Sequence, residues 1–211
     1  MEPFIRSEHY NFIKSQVQVL INGHASANDR NVLAALRAVT WEKVAELFGG
    51  LDGERADLLG PIVAIRSKED AEPFLAGVKP YVIPFPAVTE GVVKKLFPKA
   101  KKLKAPSLEG LDLREFPYMG WDDKGSGRKY IVTAYKGKLT GIHGTFSTMH
   151  KKSVCALCNR HGEVGLFMSE KKGSTQDAFV RKGNYICRDS HACARQLTTL
   201  ERLHDLIERL S

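Results

Sequence analysis

The chain has 211 residues, with 43% hydrophobic and 27% charged residues, a composition that points to an ordinary folded protein and away from a fibrous or disordered one. No run approaches the ~18 consecutive apolar residues of a membrane helix, and the first residues show no charged-then-apolar leader, so a cytoplasmic protein is expected. The net charge of +8 is uneven: residues 1–93 hold 9 Lys+Arg against 12 Asp+Glu, and residues 94–211 hold 23 against 12. The second part therefore seeks something acidic, either a nucleic acid or a protein.

Taken in chain order, residues 1–80 read as a helical bundle with short connections. Tyr10, Ile13, Val17, Leu20 and Ile21 recur at helical spacing, with Asn22-Gly23 as the stop. A second helix is expected near Asn28-Asp29, burying Val32, Leu33, Leu36 and Val39, with Trp41, Val44, Leu47 and Phe48 continuing the stripe to Gly49-Gly50. Pro61 inside Leu58–Ile65 predicts a kink or a late helix start, and Ser67 followed by Glu69 and Asp70 reads as a cap with an acidic first turn.

Residues 81–106 read as a linker and a basic helix. Three prolines in 80–86 enforce extended backbone, Thr89 caps a helix through Phe97, and Lys94, Lys95, Lys99, Lys101, Lys102 and Lys104 follow. Such a run is either a solvated face or a docking surface.

From residue 107 to 211 the pattern turns to strands. Phe116–Trp121 is short and aromatic, Arg128–Tyr135 is β-branched and aromatic, and Lys136-Gly137 is the turn into a returning strand, Lys138–Phe146. Val164–Met168 and Asn184–Cys187 read as a further hairpin, with Ser169–Gly183 as its long polar connection. Leu197, Leu200, Leu203, Leu206, Ile207 and Leu210 mark an amphipathic last helix.

The four cysteines all fall in the finger core, residues 151–211: Cys155 and Cys158 in a C-x2-C loop, then Cys187 and Cys193. Asn159 follows the loop where positive φ is often needed. Asp189 and Ser190 are helix caps that place Cys193 in a first turn, where the helix dipole favours a thiolate. Knuckle, hairpin and ligand-bearing helix are the order of a treble-clef-like zinc finger. Four thiolates suit tetrahedral Zn²⁺ in a closed, structural site. Two disulfides and an iron–sulfur cluster are the competing readings, disfavoured by compartment and by spacing. His161 and His191 rank below the cysteines as substitute ligands.

No catalytic constellation is found: Gly125-Ser-Gly127 is a turn, no phosphate-cradling loop occurs, and His143 and His150 lack a local partner. A binding protein without a small-molecule substrate, rather than an enzyme, is expected. The fold class is α+β, an N-terminal helical bundle followed by an α/β domain with a four-cysteine finger.

The sequence resembles the FusB-type fusidic-acid-resistance and elongation factor G-binding family nearly end to end. The resemblance is densest in Gly120-Trp121, Arg128-Lys-Tyr-Ile131, Cys155-x-x-Cys158, Leu166-Phe-Met168, Lys182-Gly-Asn-Tyr-Ile-Cys-Arg-Asp-Ser190 and Cys193-x-x-Gln-Leu197, with support from Tyr10-Asn-Phe-Ile-Lys14 and Pro80-Tyr-Val-Ile-Pro-Phe85. It implies a protein that binds elongation factor G through the finger domain and helps the factor leave the ribosome, relieving fusidic acid; a monomer is expected. It also implies that Lys182 and Tyr185 contact the factor. The family's aromatic residue before the first cysteine is Val154 here, which removes about a kcal/mol of interface anchoring. The alternative is a zinc-finger RNA-binding protein acting on rRNA or tRNA, with Trp121, Tyr130 and Tyr185 as stacking groups.

Overall fold

A computed structural model describes residues 1–172 and 179–210, and the chain divides into two compact units, Met1–Ile83 and Pro84–Ser211. In the first unit, α1 (Ser7–Ser26), α2 (Arg30–Glu46), α3 (Gly53–Leu59) and α4 (Lys68–Val78) enclose a core of Ile5, Tyr10, Ile13, Val17, Leu20, Val44, Leu59 and Ile62. The helix starts follow from their caps. Asp29 accepts from Asn31 N at 2.7 Å and Val32 N at 3.3 Å, and Ser67 and Asp70 close a reciprocal capping box. Pro61 sits where α3 tightens into a 3₁₀ turn over Gly60–Ala64, the expected break.

Two expectations fail in this unit. Helix α1 runs past Asn22-Gly23 to Ser26, because Gly23 serves packing rather than termination: a Cβ there would run into the Leu36 side chain of α2. The buried stripe of α2 is also rotated. Thr40 and Val44 are buried and Leu33, Leu36 and Trp41 half-buried, whereas Val32 is 53% and Val39 44% exposed. The spacing of Leu33, Leu36, Thr40 and Val44 carries the helix face, and a polar residue occupies one of its inner positions. The start of the proline segment closes this unit: Val82 bridges Ile5 in parallel, and Ile83 N donates to Ile5 O at 2.8 Å.

In the second unit, α5 (Glu90–Leu96) precedes a five-stranded antiparallel meander. Its strands are β1 (Tyr118–Asp123), β2 (Arg128–Tyr135), β3 (Lys138–Val154), β4 (His161–Lys172) and β5 (Phe179–Cys187), in spatial order 1-2-3-4-5. Lys136 (φ 48°) and Gly137 (φ 75°) make the two-residue turn between β2 and β3, with Tyr135 opposite Lys138. The β4–β5 ladder continues past the expected hairpin, pairing Ser169 with Lys182, Glu170 with Arg181 and Lys172 with Phe179. Glu170 and Arg181 form a cross-strand ion pair at 2.6 Å, so charged residues that read as a connection sit in strands.

Strand alternation gives the sheet two covered faces. On one, Met119, Tyr130 and Val132 meet Phe85, Val88, Val93, Phe97 and Leu103, so residues 84–106 pack on the sheet. On the other, Tyr118, Ile131, Phe167 and Ile186 meet α6 (Ser190–Gln196) and α7 (Glu201–Leu210) through Ala194, Leu203, Leu206 and Ile207. Helix α7 is tied down by Tyr135 Oη donating to Glu208 at 2.7 Å and by His204 Nε2, 2.9 Å from Ala134 O. No helix among the described residues is long and apolar enough to cross a membrane.

Candidate metal centre and its surroundings

The six residues between Val154 of β3 and His161 of β4 form a knuckle. Cys155 N donates to Arg160 O at 3.0 Å and Asn159 N to Cys155 O at 3.0 Å, a closure that needs Asn159 at φ 56°. Asparagine tolerates this left-handed backbone better than most residues. Ala156 N donates to Tyr185 O at 2.7 Å, locking the knuckle to β5 two residues before Cys187. Asp189 caps α6, accepting from His191 N and Ala192 N at 2.8 and 3.0 Å, and Cys193 lies in the first turn with its N–H on Asp189 O.

These elements bring all four sulfurs to within 4.8 Å of one another. Cys155 Sγ is 3.7 Å from Cys193 Sγ, and Cys158 Sγ is 3.6 Å from Cys187 Sγ. A tetrahedron with metal–sulfur bonds of about 2.3 Å has edges of about 3.8 Å, so the cysteines fit a four-coordinate ion without rearrangement. None is in a disulfide. Cys155, Cys158 and Cys193 are buried and Cys187 half-buried, leaving no ligand position for a substrate. Leu157 N and Cys187 N point at Cys155 Sγ from 3.4 and 3.3 Å, the donors a thiolate wants. The Gln196 side-chain amide lies 3.8 Å from Cys158 Sγ, and its NH₂ end turned to the sulfur would add another.

Four thiolates at these distances would repel one another, so without a cation the sulfurs share protons unequally. Hydrogen bonds from Cys158, Cys187 and Cys193 hold the Cys155 thiol far below its usual range. The bonds they make to Cys155 push Cys187 and Cys193 far up. A divalent cation removes this conflict by stabilising all four as thiolates.

Beneath the centre is a buried lysine that sequence reading passed over. Lys129 Nζ is fully buried and donates to Ser190 Oγ at 2.9 Å and Arg188 O at 3.0 Å, between the last two cysteines. It also pairs with Asp122 Oδ1 at 3.0 Å and lies 4.3 Å from the Phe146 ring centre. Tyr118 Oη donates to Ser190 O at 3.2 Å, and burial holds that phenol well above its usual pKa, neutral and able to donate. Strand parity was the available signal: Lys129 shares the inward face of Ile131 and Thr133, and a cation there must be paired.

His161 and His191 stand outside the sulfur cluster; His191 packs edge-on against Phe116 at 5.4 Å. Among the described residues of this unit, Val154 (52%) and Tyr185 (41%) are the exposed large hydrophobic side chains, and both flank the knuckle. Lys182 is exposed on the other side of β5, where its ammonium donates to Arg209 O at 2.8 Å, at the end of α7. Tyr130, expected as a stacking group, is 2% exposed and lies edge-on to Phe97 at 4.9 Å. Trp121 is half-buried against it.

Comparison with known proteins agrees with this architecture. Residues 4–86 match the model described as elongation factor G-binding protein, N-terminal, and residues 91–208 match the FBP C-terminal treble-clef zinc-finger. The solved structure of the fusidic acid resistance protein FusC is 30% identical, covers 99% of this chain and 98% of that chain, and superposes with a TM-score of 0.87. No curated protein sequence matches the chain significantly. Both halves of the sequence and the four-cysteine centre place the chain in the elongation factor G-binding protein family, with its FBP treble-clef zinc finger.

Proposed function

We propose that this protein binds elongation factor G through the zinc-finger unit and promotes its release from the ribosome, relieving inhibition by fusidic acid. The observation that carries the reading is the exposure of two large apolar side chains at the knuckle: Val154, directly before Cys155, and Tyr185, whose carbonyl accepts from Ala156 N. Exposed aromatic and aliphatic groups on a preorganised element make interface anchors, because little entropy is lost on docking. The zinc ion, held by Cys155, Cys158, Cys187 and Cys193, supplies that rigidity and takes no part in chemistry. Release requires that the protein bind the ribosome-free form of the factor more tightly than the bound form. The protein acts in the cytoplasm, as a monomeric binder rather than a catalyst.

Lys182 enters differently from Tyr185. Strand alternation turns the two side chains to opposite sides of β5, and the Lys182 ammonium holds the last turn of α7. Lys182 contributes charge at the rim and positions the C-terminal helix, whereas Tyr185 and Val154 make the apolar contact.

The test is calorimetric titration of the full chain into elongation factor G, with Tyr185→Ala, Lys182→Ala and Val154→Phe examined singly. Sub-micromolar binding is expected, weakened more than tenfold by Tyr185→Ala and tightened about fivefold by Val154→Phe. Release is read separately, from the off-rate of the factor on fusidic-acid-stalled ribosomes. No binding by metal-loaded protein would sink the reading.

A further inference from the structure

A second candidate surface lies on the face of the sheet opposite the metal centre. Phe97 ends α5 directly on β3: a Cβ at Gly141 would stand 2.5 Å from Phe97 Cζ, so only glycine lets the ring lie on the strand. Beyond Phe97 the chain makes two successive tight turns, Ala100 N to Phe97 O at 2.9 Å and Leu103 N to Ala100 O at 3.0 Å. The Glu90 carboxylate then accepts from Ala105 N at 2.8 Å and ties the segment back to the start of α5. Buried Leu103 anchors the far end, leaving Lys99, Lys101 and Lys102 exposed above the sheet. The lysine run is thus a built loop.

Between this loop and β2–β3 lies a cleft of about 680 Å³. Its floor is apolar, from Leu96, Phe97 and Leu103, and its rim carries Lys99, Lys101, Lys102 and Arg128. None of these four cationic side chains has an ion-pair or hydrogen-bond partner among the described residues. The one carboxylate in the lining, Asp123, is engaged by Ser126 N at 3.1 Å and Ser126 Oγ at 2.5 Å. No acidic residue occurs between Glu90 and Glu109, whereas six lysines do.

We propose that this cleft binds a single-stranded polynucleotide, its phosphates along the Lys99–Lys102 and Arg128 rim and one unpaired base against the apolar floor. Lysine dominates the rim. Its compact, hydrated charge suits a run of phosphodiesters, while directional recognition of protein carboxylates favours arginine forks. Lysine is also depleted from protein–protein interfaces, which argues against an acidic protein as occupant. A cleft of this volume accommodates a base, and sequence-tolerant backbone binding fits a rim without fixed hydrogen-bond partners. The choice of RNA over DNA rests on the translation role proposed above; the cleft itself does not.

The test is fluorescence anisotropy of the full chain with a labelled 16-nucleotide mixed-sequence RNA, titrated at several salt concentrations. Four phosphate contacts predict a log–log salt slope of about −3, at about 0.7 per phosphate on a single strand. Lys99→Ala/Lys101→Ala/Lys102→Ala should weaken binding at least tenfold and flatten the slope by about 2. The corresponding triple arginine variant should retain it, as should Tyr185→Ala. Loss with Tyr185→Ala but not with the triple alanine variant would overturn the assignment. So would equal or tighter binding of duplex RNA or of poly-glutamate. Failure to bind elongation factor G with RNA binding intact would remove the partner reading and leave the cleft standing.

Discussion

The Lys129 ammonium sits 2.9 Å from the Ser190 hydroxyl, linking an inner strand of the sheet to the residue that opens the ligand-bearing helix. The same ammonium holds Arg188 O, so one side chain fixes the chain on both sides of Asp189, the cap of α6.

Lys129→Met keeps the length of the stem and removes the charge and the donors. It leaves Arg188 O and Ser190 Oγ short of a partner and Asp122 without its cation. Because Asp122 is about half exposed, water recovers part of that loss, and the expected cost is about 2–4 kcal/mol. Chemical denaturation should show the loss, with weaker metal retention in competition with a chelator. Unchanged stability and metal affinity would mean the network is ornamental.

Removing the metal should affect the two units unequally. The second unit loses the cross-link joining knuckle, β5 and α6, while the first keeps a core of its own. Chelation is expected to lower the melting temperature of the finger unit and leave a separate helical transition. Because thiols must lose protons to bind, retention of the ion should weaken on acidification. Circular dichroism with metal quantification reads both effects, and a single unchanged transition would contradict them.

Asn159 tests the knuckle backbone. With φ at 56°, Asn159→Gly should be neutral or slightly stabilising, whereas Asn159→Val should cost about 1–2 kcal/mol. The order of the two melting temperatures is the measurement, and the reverse order would refute the strain argument.

Gly141→Ala forces the Phe97 ring off β3. Overpacking of this kind costs about 1–3 kcal/mol, and the lysine loop beyond Phe97 should loosen with it. Hydrogen exchange of the amides of Ala100 and Leu103, bonded in the loop turns, should quicken in the variant. Protection equal to that of the parent would show that the loop stands without the ring.

Much of this architecture was legible in the sequence because it depends on local rules. Asp29, Ser67, Thr89 and Asp189 cap the helices they precede, and Lys136-Gly137 makes the turn its dipeptide predicts. The convergence of the four cysteines was legible too, since C-x2-C and a capped cysteine helix are spacing rules. What escaped depends on tertiary contact. Gly23 reads as a stop by composition and is a packing contact in fact. Val32 and Val39 read as core because hydrophobicity outweighed Thr40, which holds the inner position. Lys129 was hidden by its charge. Tyr130, plausible as a stacking group from its chemistry, is removed from solvent by Phe97, a residue 33 positions away.

The meander order of the sheet has a kinetic consequence. Every ladder joins strands adjacent in the chain, so the sheet has low contact order for a β structure. Cys155 and Cys193, by contrast, meet across 38 positions, after two strands and a helix cap have been placed. The sheet can therefore zip hairpin by hairpin before the four cysteines converge, and an ion would enter late. An interaction absent from the folding transition state leaves the folding rate nearly untouched and slows unfolding. A metal held by these four sulfurs would act as a latch on a sheet already closed, lengthening the lifetime of the knuckle more than hastening its birth.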